Sequence, residues 1–79
     1  MINIDDANVM LRKVEGKVML KKDNEATNIL HLTVIRDGSQ LRYYTTHKIT
    51  KASIKQEAEL TRDQALEFIK DELNSRYFS

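Results

Sequence analysis

The chain has 79 residues, no cysteine, no proline and a net charge of +1. This length fits one domain, residues 1–79, with a small hydrophobic core, and the missing cysteine excludes disulfides, thiolate nucleophiles and sulfur-ligated metals. No apolar run approaches the roughly 20 residues of a membrane span, and the N-terminus lacks the pattern of a signal peptide. We therefore expect a soluble cytoplasmic protein.

The first predicted element is an N-terminal helix that ends at Gly16. Asp5 is a favourable N-cap residue, and glycine is well suited to end a helix in the left-handed conformation. Apolar residues follow with the i, i+3, i+4, i+7 spacing of an amphipathic helix: Ala7, Met10, Leu11 and Val14. The competing interpretation, a strand over residues 8–14, divides the side chains poorly between two faces, so the helix is favoured.

A short strand is predicted next, over residues 17–22, and a polar hairpin loop over residues 23–27. Alternation along a strand would direct Val18 and Leu20 to the core and the three residues between and beside them to solvent. Those outward residues are Lys17, Met19 and Lys21.

A β-hairpin follows at residues 28–46. Asp37-Gly38 lies between two β-rich runs, which is a strong signal for a type I′ turn, and this turn pairs Val34 with Leu41. One face of the hairpin is then predicted to join the core: Leu30, Leu32, Val34, Leu41 and Tyr43. The other face is predicted to stay open: Ile29, His31, Thr33, Ile35, Arg42, Tyr44 and Thr46.

Residues 48–60 have two interpretations. Apolar residues at alternate positions suit a weak fourth strand: Ala52, Ile54, Ala58 and Leu60. However, Ser53 and Gln56 have the spacing of a helical capping box. A C-terminal helix from Arg62 to about Arg76 is clearer, because Thr61 and Gln64 form a second capping box before an apolar stripe.

The predicted fold class is α+β. An N-terminal helix, a three-stranded antiparallel sheet with a possible weak fourth strand, and a C-terminal helix pack together, with the helices on one sheet face. The other face is left uncovered.

No residue pattern indicates catalysis, a cofactor or a metal. The hairpin register separates His31 from His47 onto opposite faces, and Ser39 has no base beside it. No glycine-rich phosphate loop or metal-ligand spacing is present. We expect that the protein is not an enzyme and that it needs no cofactor.

Two surfaces are candidates for binding a partner. The first is the open sheet face, whose cations and aromatic ring could hold a protein or a single-stranded nucleic acid: Lys17, Met19, Lys21, His31, Ile35, Arg42 and Tyr44. The second is the acidic outer side of the C-terminal helix, which could dock on a basic protein groove: Asp63, Glu67 and Asp71. Tyr77-Phe78 either closes the core or, if exposed, forms an aromatic anchor.

The layout of the chain carries one resemblance. Its features are Asn3-Ile4-Asp5 before a helix, Asn28-Ile29 with Leu32 opening a strand, Asp37-Gly38 followed by Tyr43-Tyr44, and Phe68-Ile69 in a helix. Over most of its length the chain resembles small phage-encoded inhibitors of host defence, the anti-CRISPR proteins that bind Cas9. Members that imitate DNA are strongly acidic, whereas this chain is nearly neutral. The resemblance implies a class of behaviour and no particular functional residues.

The expected function is that of a small non-enzymatic protein, of phage or mobile-element type, which binds a host protein and modulates or inhibits it. The alternative is a nucleic-acid-binding module that uses the basic sheet face: Lys17, Lys21, Arg42, Tyr44 and Lys48. A self-associating homodimer is a third alternative. No membrane partner is expected.

Overall fold

A computed structural model describes residues 1–49 and 54–78, and the side chains of residues 1–45 and 58–78. The elements in chain order are α1 (Ile4–Met19), β1 (Ala26–Ile29), β2 (Leu32–Asp37), β3 (Gln40–Ile49), β4 (Ile54–Leu60) and α2 (Arg62–Phe78). The strands form one antiparallel sheet in the order β1-β2-β3-β4. The predicted α+β class is therefore confirmed, with an N-terminal helix and a C-terminal helix against the sheet.

Both helices cover the same face of the sheet and run antiparallel to each other. Ile2, just before α1, is hydrogen-bonded to Asn74 near the end of α2, while Glu15 near the end of α1 accepts from Arg62 at the start of α2. Between the helices and the sheet lies one apolar cluster: Ala7, Leu11, Val18, Leu32, Val34, Tyr43, Ala65, Leu66, Ile69 and Leu73.

The N-cap of α1 is Asn3, so the prediction of Asp5 is wrong by two residues. The Asn3 side chain accepts a hydrogen bond from the Asp6 amide at 2.9 Å, and the Asp6 carboxylate accepts from the Asn3 amide at 3.3 Å. This reciprocal capping box needs a side-chain acceptor three residues after the cap, and Asp6 supplies it for Asn3.

The predicted strand over residues 17–22 is also wrong, because α1 continues through Gly16 to Met19. Val18 lies seven residues after Leu11 and extends the apolar stripe into the core, where both are fully buried. Burying a valine is worth about 1.5–3 kcal/mol, which exceeds the roughly 1 kcal/mol cost of a glycine inside a helix. Leu20, predicted to face the core, is the C-cap and is 89% exposed.

Gly16 offers a direct test of this helical end. A Cβ at Gly16 would meet no atom within 4 Å, so Gly16→Ala should raise the free energy of unfolding by roughly 0.5–1 kcal/mol through helix propensity alone. Urea unfolding followed by circular dichroism measures the change. Gly38→Ala is the matched control, because the space there is equally open but φ is +63°; that variant should lose stability. A destabilised Gly16→Ala variant would contradict the continuous helix.

The predicted strand across residues 29–36 is broken by a tight turn at Leu30-His31, which separates β1 from β2. Leu30 adopts φ +55° there, and Ile29 pairs with Leu32 across the turn. Paired residues share a face of the sheet, so Ile29 lies on the core side and not on the open side. Leucine is no turn signal, and the local pattern therefore gave no warning of this hairpin.

The turn between β2 and β3 is Gly38-Ser39, one residue later than predicted. Asp37 pairs with Gln40 and Val34 with Tyr43, so the register differs from the prediction by two residues. A shift of two preserves the face of every side chain, and the predicted division into core and open faces is kept over residues 32–45. The Gly38 amide donates to Asp23 Oδ1 at 2.7 Å, which holds the turn in its observed position.

The two interpretations of residues 48–60 are resolved over the described part, where residues 54–60 form strand β4 and not a helix. Ala52 and Ser53 lie outside the described residues. The predicted capping box of α2 is present, since the Thr61 amide donates to Gln64 Oε1 at 2.9 Å and the Gln64 amide to Thr61 Oγ1 at 3.2 Å. Tyr77 and Phe78 are exposed at the end of α2.

Candidate functional site

The sheet face that the helices leave uncovered carries three of the predicted binding residues. Ile35 pairs with Arg42, and Thr33 pairs with Tyr44. These residues alternate with the buried ones along β2 and β3 and therefore lie on the face opposite the helices. Thus Ile35, Arg42 and Tyr44 are where the sequence predicts them.

The described part of this face is not basic, which corrects the prediction. Arg42 Nε donates to Glu59 Oε1 at 3.0 Å, and Arg42 Nη1 lies 3.7 Å from Asp37 Oδ2. The Glu59 carboxylate raises the pKa of Arg42 above its ordinary value, so the cation stays charged but engaged. Lys17 and Lys21 lie on α1 and the turn after it, and the side chain of Lys48 lies outside the described residues.

His31 makes a structural contact with α2 and does not lie on the open face of the sheet. It lies in the turn between β1 and β2, where its Nδ1 donates to Glu72 Oε1 and its amide to Glu72 Oε2 at 3.4 Å. Arg76 Nη2 approaches the same carboxylate at 3.6 Å. The contact fastens the turn to α2, while the side chain of His47 lies outside the described residues.

The outer side of α2 forms a groove that contains all three predicted acidic residues. Asp63, Glu67 and Asp71 are spaced four apart and stack along one side of the helix. The groove is a shallow depression of about 390 Å³ that is open to solvent. We call it the α2 groove and define it by Leu60, Asp63, Gln64, Glu67, Phe68 and Asp71.

The floor of the α2 groove is apolar, and the sequence-based reasoning did not include it. Leu60 ends β4 and Phe68 belongs to α2; both are half-buried against the core. Only Thr61 separates β4 from α2, which forces the end of the strand beside the first helical turns. The capping box directly after Leu60 was the signal that could have identified this neighbour.

The carboxylates of the α2 groove are only partly neutralised. Lys70 Nζ lies 3.0 Å from Glu67 Oε2, and this carboxylate raises the pKa of Lys70 above its ordinary value. Asp63 and Asp71 form no ion pair with any described residue. The groove thus offers an apolar floor beside three acids and one cation.

A second exposed feature is the end of α1 and the turn after it, residues 17–22, which we call the Leu20 tip. It gathers three predicted binding residues, Lys17, Met19 and Lys21, although on a helix end and not on a strand. Met19 is 38% exposed beside the fully protruding Leu20. The tip is held in place because the Lys21 carbonyl accepts from Arg36 Nη1 at 2.5 Å.

A polar cluster behind the α2 groove joins both helices to β3, and sequence-based reasoning missed it. Arg62 donates twice to the Glu15 carboxylate, Nε to Oε2 and Nη2 to Oε1, both at 2.9 Å. Arg62 Nη2 also donates to Asn8 Oδ1 at 2.8 Å, and the Tyr43 hydroxyl donates to Glu15 Oε2. Glu15 follows Leu11 by four residues, and an acid on an apolar helix face was the available signal.

The protonation of this cluster favours the ion pair. Burial raises the pKa of Glu15, but the hydrogen bonds from Arg62 and Tyr43 and the charges of Arg62 and Arg12 outweigh it, so the net pKa is lowered. Burial and the bond to Glu15 raise the pKa of the Tyr43 hydroxyl. Glu15 is therefore a carboxylate and Tyr43 a donor at neutral pH, and the cluster fixes the start of α2.

Residues 1–49 and 54–78 contain no group of three or more histidine or acidic side chains placed to hold a metal ion. Within the same ranges, neither helix is long and apolar enough to cross a bilayer. No protein-family model, curated protein or solved structure matches the chain.

Proposed function

We propose that the chain is a non-enzymatic interaction protein whose α2 groove receives a basic segment of a host protein and thereby modulates it. The observation that carries this proposal is the combination of an apolar floor, Leu60 and Phe68, with carboxylates at Asp63 and Asp71 that form no ion pair with a described cation. An apolar residue flanked by lysine or arginine is the complement of such a groove.

The two parts of the groove would contribute differently. Covering the apolar floor removes hydrocarbon surface from water, at about 25 cal/mol per Å², and supplies affinity. The carboxylates would attract a basic partner over several ångströms, speed its association and make that rate sensitive to salt.

The nucleic-acid alternative has less support than the protein-binding proposal. Its sheet face contributes one aromatic ring, Tyr44, and the nearby Arg42 is already engaged by two carboxylates. Nucleic-acid affinity depends on cations that are available to phosphate. The phage or mobile-element setting implied by the layout resemblance stays a prediction.

The test is a capture experiment with two matched charge variants. Proteins of the native host are captured on the wild-type chain with nuclease present, and the captured protein is purified and titrated. Removing two groove charges with Asp63→Asn and Asp71→Asn should weaken its binding by at least about ten-fold, as expected for hot-spot contacts. Asp5→Asn with Glu25→Gln removes the same charge from exposed positions outside the groove and should leave binding unchanged.

Two results would overturn the proposal. If the groove double variant and the control double variant lose the same amount of binding affinity, the effect is one of net charge alone. Capture that disappears on nuclease treatment would transfer support to the nucleic-acid alternative.

A further inference from the structure

The chain carries a surface that is complementary to its own α2 groove. The Leu20 tip presents an exposed apolar side chain surrounded by lysines at residues 17, 21 and 22, whereas the groove presents an apolar floor beside acids at residues 63, 67 and 71. We propose that the Leu20 tip of one copy docks in the α2 groove of a second copy, so that the protein assembles head to tail.

The tip is built to present Leu20 without reorganisation. The Leu20 amide donates to the Lys17 carbonyl at 3.2 Å, and the Lys21 amide donates to the Val18 carbonyl at 3.0 Å. The Lys21 carbonyl is held in turn by Arg36. Because the backbone is already ordered, docking costs little conformational entropy. Lys17 and Lys22 form no ion pair with described residues and remain available to a partner.

The dimensions of the two surfaces agree. Asp63 and Asp71, the outermost carboxylates of the groove, are eight residue steps apart on α2, which is about 12 Å at 1.5 Å per residue. Lys17 lies three residues before Leu20, about 4.5 Å along the helix, so its cation can lie beside a carboxylate while Leu20 contacts the floor. Lys21 Nζ donates to the Ala26 carbonyl at 3.1 Å and would have to leave it to reach the groove.

The contact must form between molecules. Leu20 is 89% exposed within its own chain, and so it does not occupy its own groove. The tip and the groove are different surfaces, which makes the interface heterologous and leaves a free tip at one end of an open assembly and a free groove at the other. The contact is small, and we therefore expect weak, salt-sensitive association that grows with protein concentration.

Self-docking would also regulate the site proposed above. A tip in the groove excludes a host segment from it, and concentration would shift the protein between assembled and partner-binding forms. That consequence rests on the proposed function. The self-docking itself does not.

The experiment measures the mass of the full chain by sedimentation velocity as protein concentration rises, at low and high salt. The tip variant is Leu20→Asp, and the groove variant combines Glu67→Lys with Asp71→Lys. We expect the wild type to pass from monomer to dimer and larger species at low salt, and each variant alone to stay monomeric. Val9→Asp is the matched control, because Val9 is also exposed on α1 but lies outside the tip; it should associate as the wild type does.

Mixing the two variants gives the sharpest result. The tip variant keeps its groove and the groove variant keeps its tip, so an equal mixture should form a dimer and nothing larger. A mixture that stays monomeric, a wild type that stops at a dimer, or a tip variant that still associates would each overturn head-to-tail docking. Binding of the tip to anionic phosphatidylserine vesicles without self-association would likewise overturn it.

The two proposals can fail separately. Self-association is measured without any host protein, and Leu20→Asp leaves every groove residue intact. If Leu20→Asp is monomeric and still captures the host protein, both proposals are supported. If neither the wild type nor any variant captures a host protein, while the wild type still self-associates, only the proposed function fails.

Discussion

Leu32→Ala is expected to lower the free energy of unfolding by about 3 kcal/mol, within the range of 2–5 kcal/mol for truncating a buried leucine. Leu32 is fully buried between the sheet and the helices, and its removal leaves a cavity in a small core. A chain of this size has roughly 4–12 kcal/mol of stability in total. The midpoint of thermal unfolding should fall by about 12–24 °C, which scanning calorimetry measures directly.

Leu20→Ala is the matched control for that result. The same atoms are removed from a side chain that is almost wholly in water, so the change should stay within about 0.5 kcal/mol. Comparable losses at Leu20 and Leu32 would show that the segment after α1 is packed against the core, contrary to the observed fold.

Arg62→Met should lower the free energy of unfolding by about 2 kcal/mol. The substitution keeps an apolar stem but leaves the Glu15 carboxylate without its two strongest donors, and hydrogen bonds to charged groups are worth about 1.5–3 kcal/mol. The lower part of that range applies because the Arg62 side chain is 37% exposed to screening solvent. Urea unfolding at neutral pH measures the loss. Arg42→Met, at an ion pair that is half exposed on both sides, should lower the free energy of unfolding by less than Arg62→Met does, because solvent screens exposed pairs.

At acidic pH, the wild type and Arg62→Met should have the same free energy of unfolding. The folded pKa of Glu15 is lowered from its ordinary value of 4.5, so the ion pair contributes fully above that value, where both states are ionised. The contribution is lost as pH falls through the folded pKa, because the unfolded chain then binds more protons than the folded one until Glu15 itself is protonated. A difference that persists unchanged at low pH would assign the loss to packing and not to the charge of Glu15.

The parts of the fold that the sequence predicted correctly are those determined by interactions between residues close in the chain. The capping box of Thr61 and Gln64 needs only two side chains and two amides three residues apart, and it marks the start of α2 correctly. The alternation around Gly38 placed Leu32, Val34 and Tyr43 on the core face, because a register error of two residues changes no face. Alternation over residues 52–60 also offered a weak fourth strand, but beside a helical alternative that only the structure excludes over residues 54–60.

The parts that failed depend on tertiary contacts. Gly16 favours a helix end by propensity, yet burial of Val18 keeps the helix going for three more residues. Leu30 takes a left-handed conformation that leucine rarely adopts, and the contacts of His31 with Glu72, 41 residues away, are available to stabilise that turn. A local sequence pattern cannot predict a contact between residues as far apart in the chain as His31 and Glu72.

The sequence predicted some residues of the candidate surfaces and missed others, again because tertiary contacts leave no local pattern. Helical spacing alone brings Asp63, Glu67 and Asp71 together, whereas the groove floor exists only because β4 ends beside α2. Lys17, Met19 and Lys21 were found as neighbours on the wrong element, since residues close in sequence stay close in either a helix or a strand. Arg42 was expected to be available, and only the pairing of β3 with β4 brings Glu59 to it.

The double hydrogen bond between the Asn74 amide group and the Ile2 backbone decides where additional chain or a label would emerge. It fastens the segment before α1 to the last turns of α2, so residues 2 and 74 share one end of the helical layer. α1 has 16 residues and is about 24 Å long, which separates that end from Leu20. A tether attached at residue 1 would therefore hold the molecule from the side opposite the tip and leave Leu20 free to reach another surface.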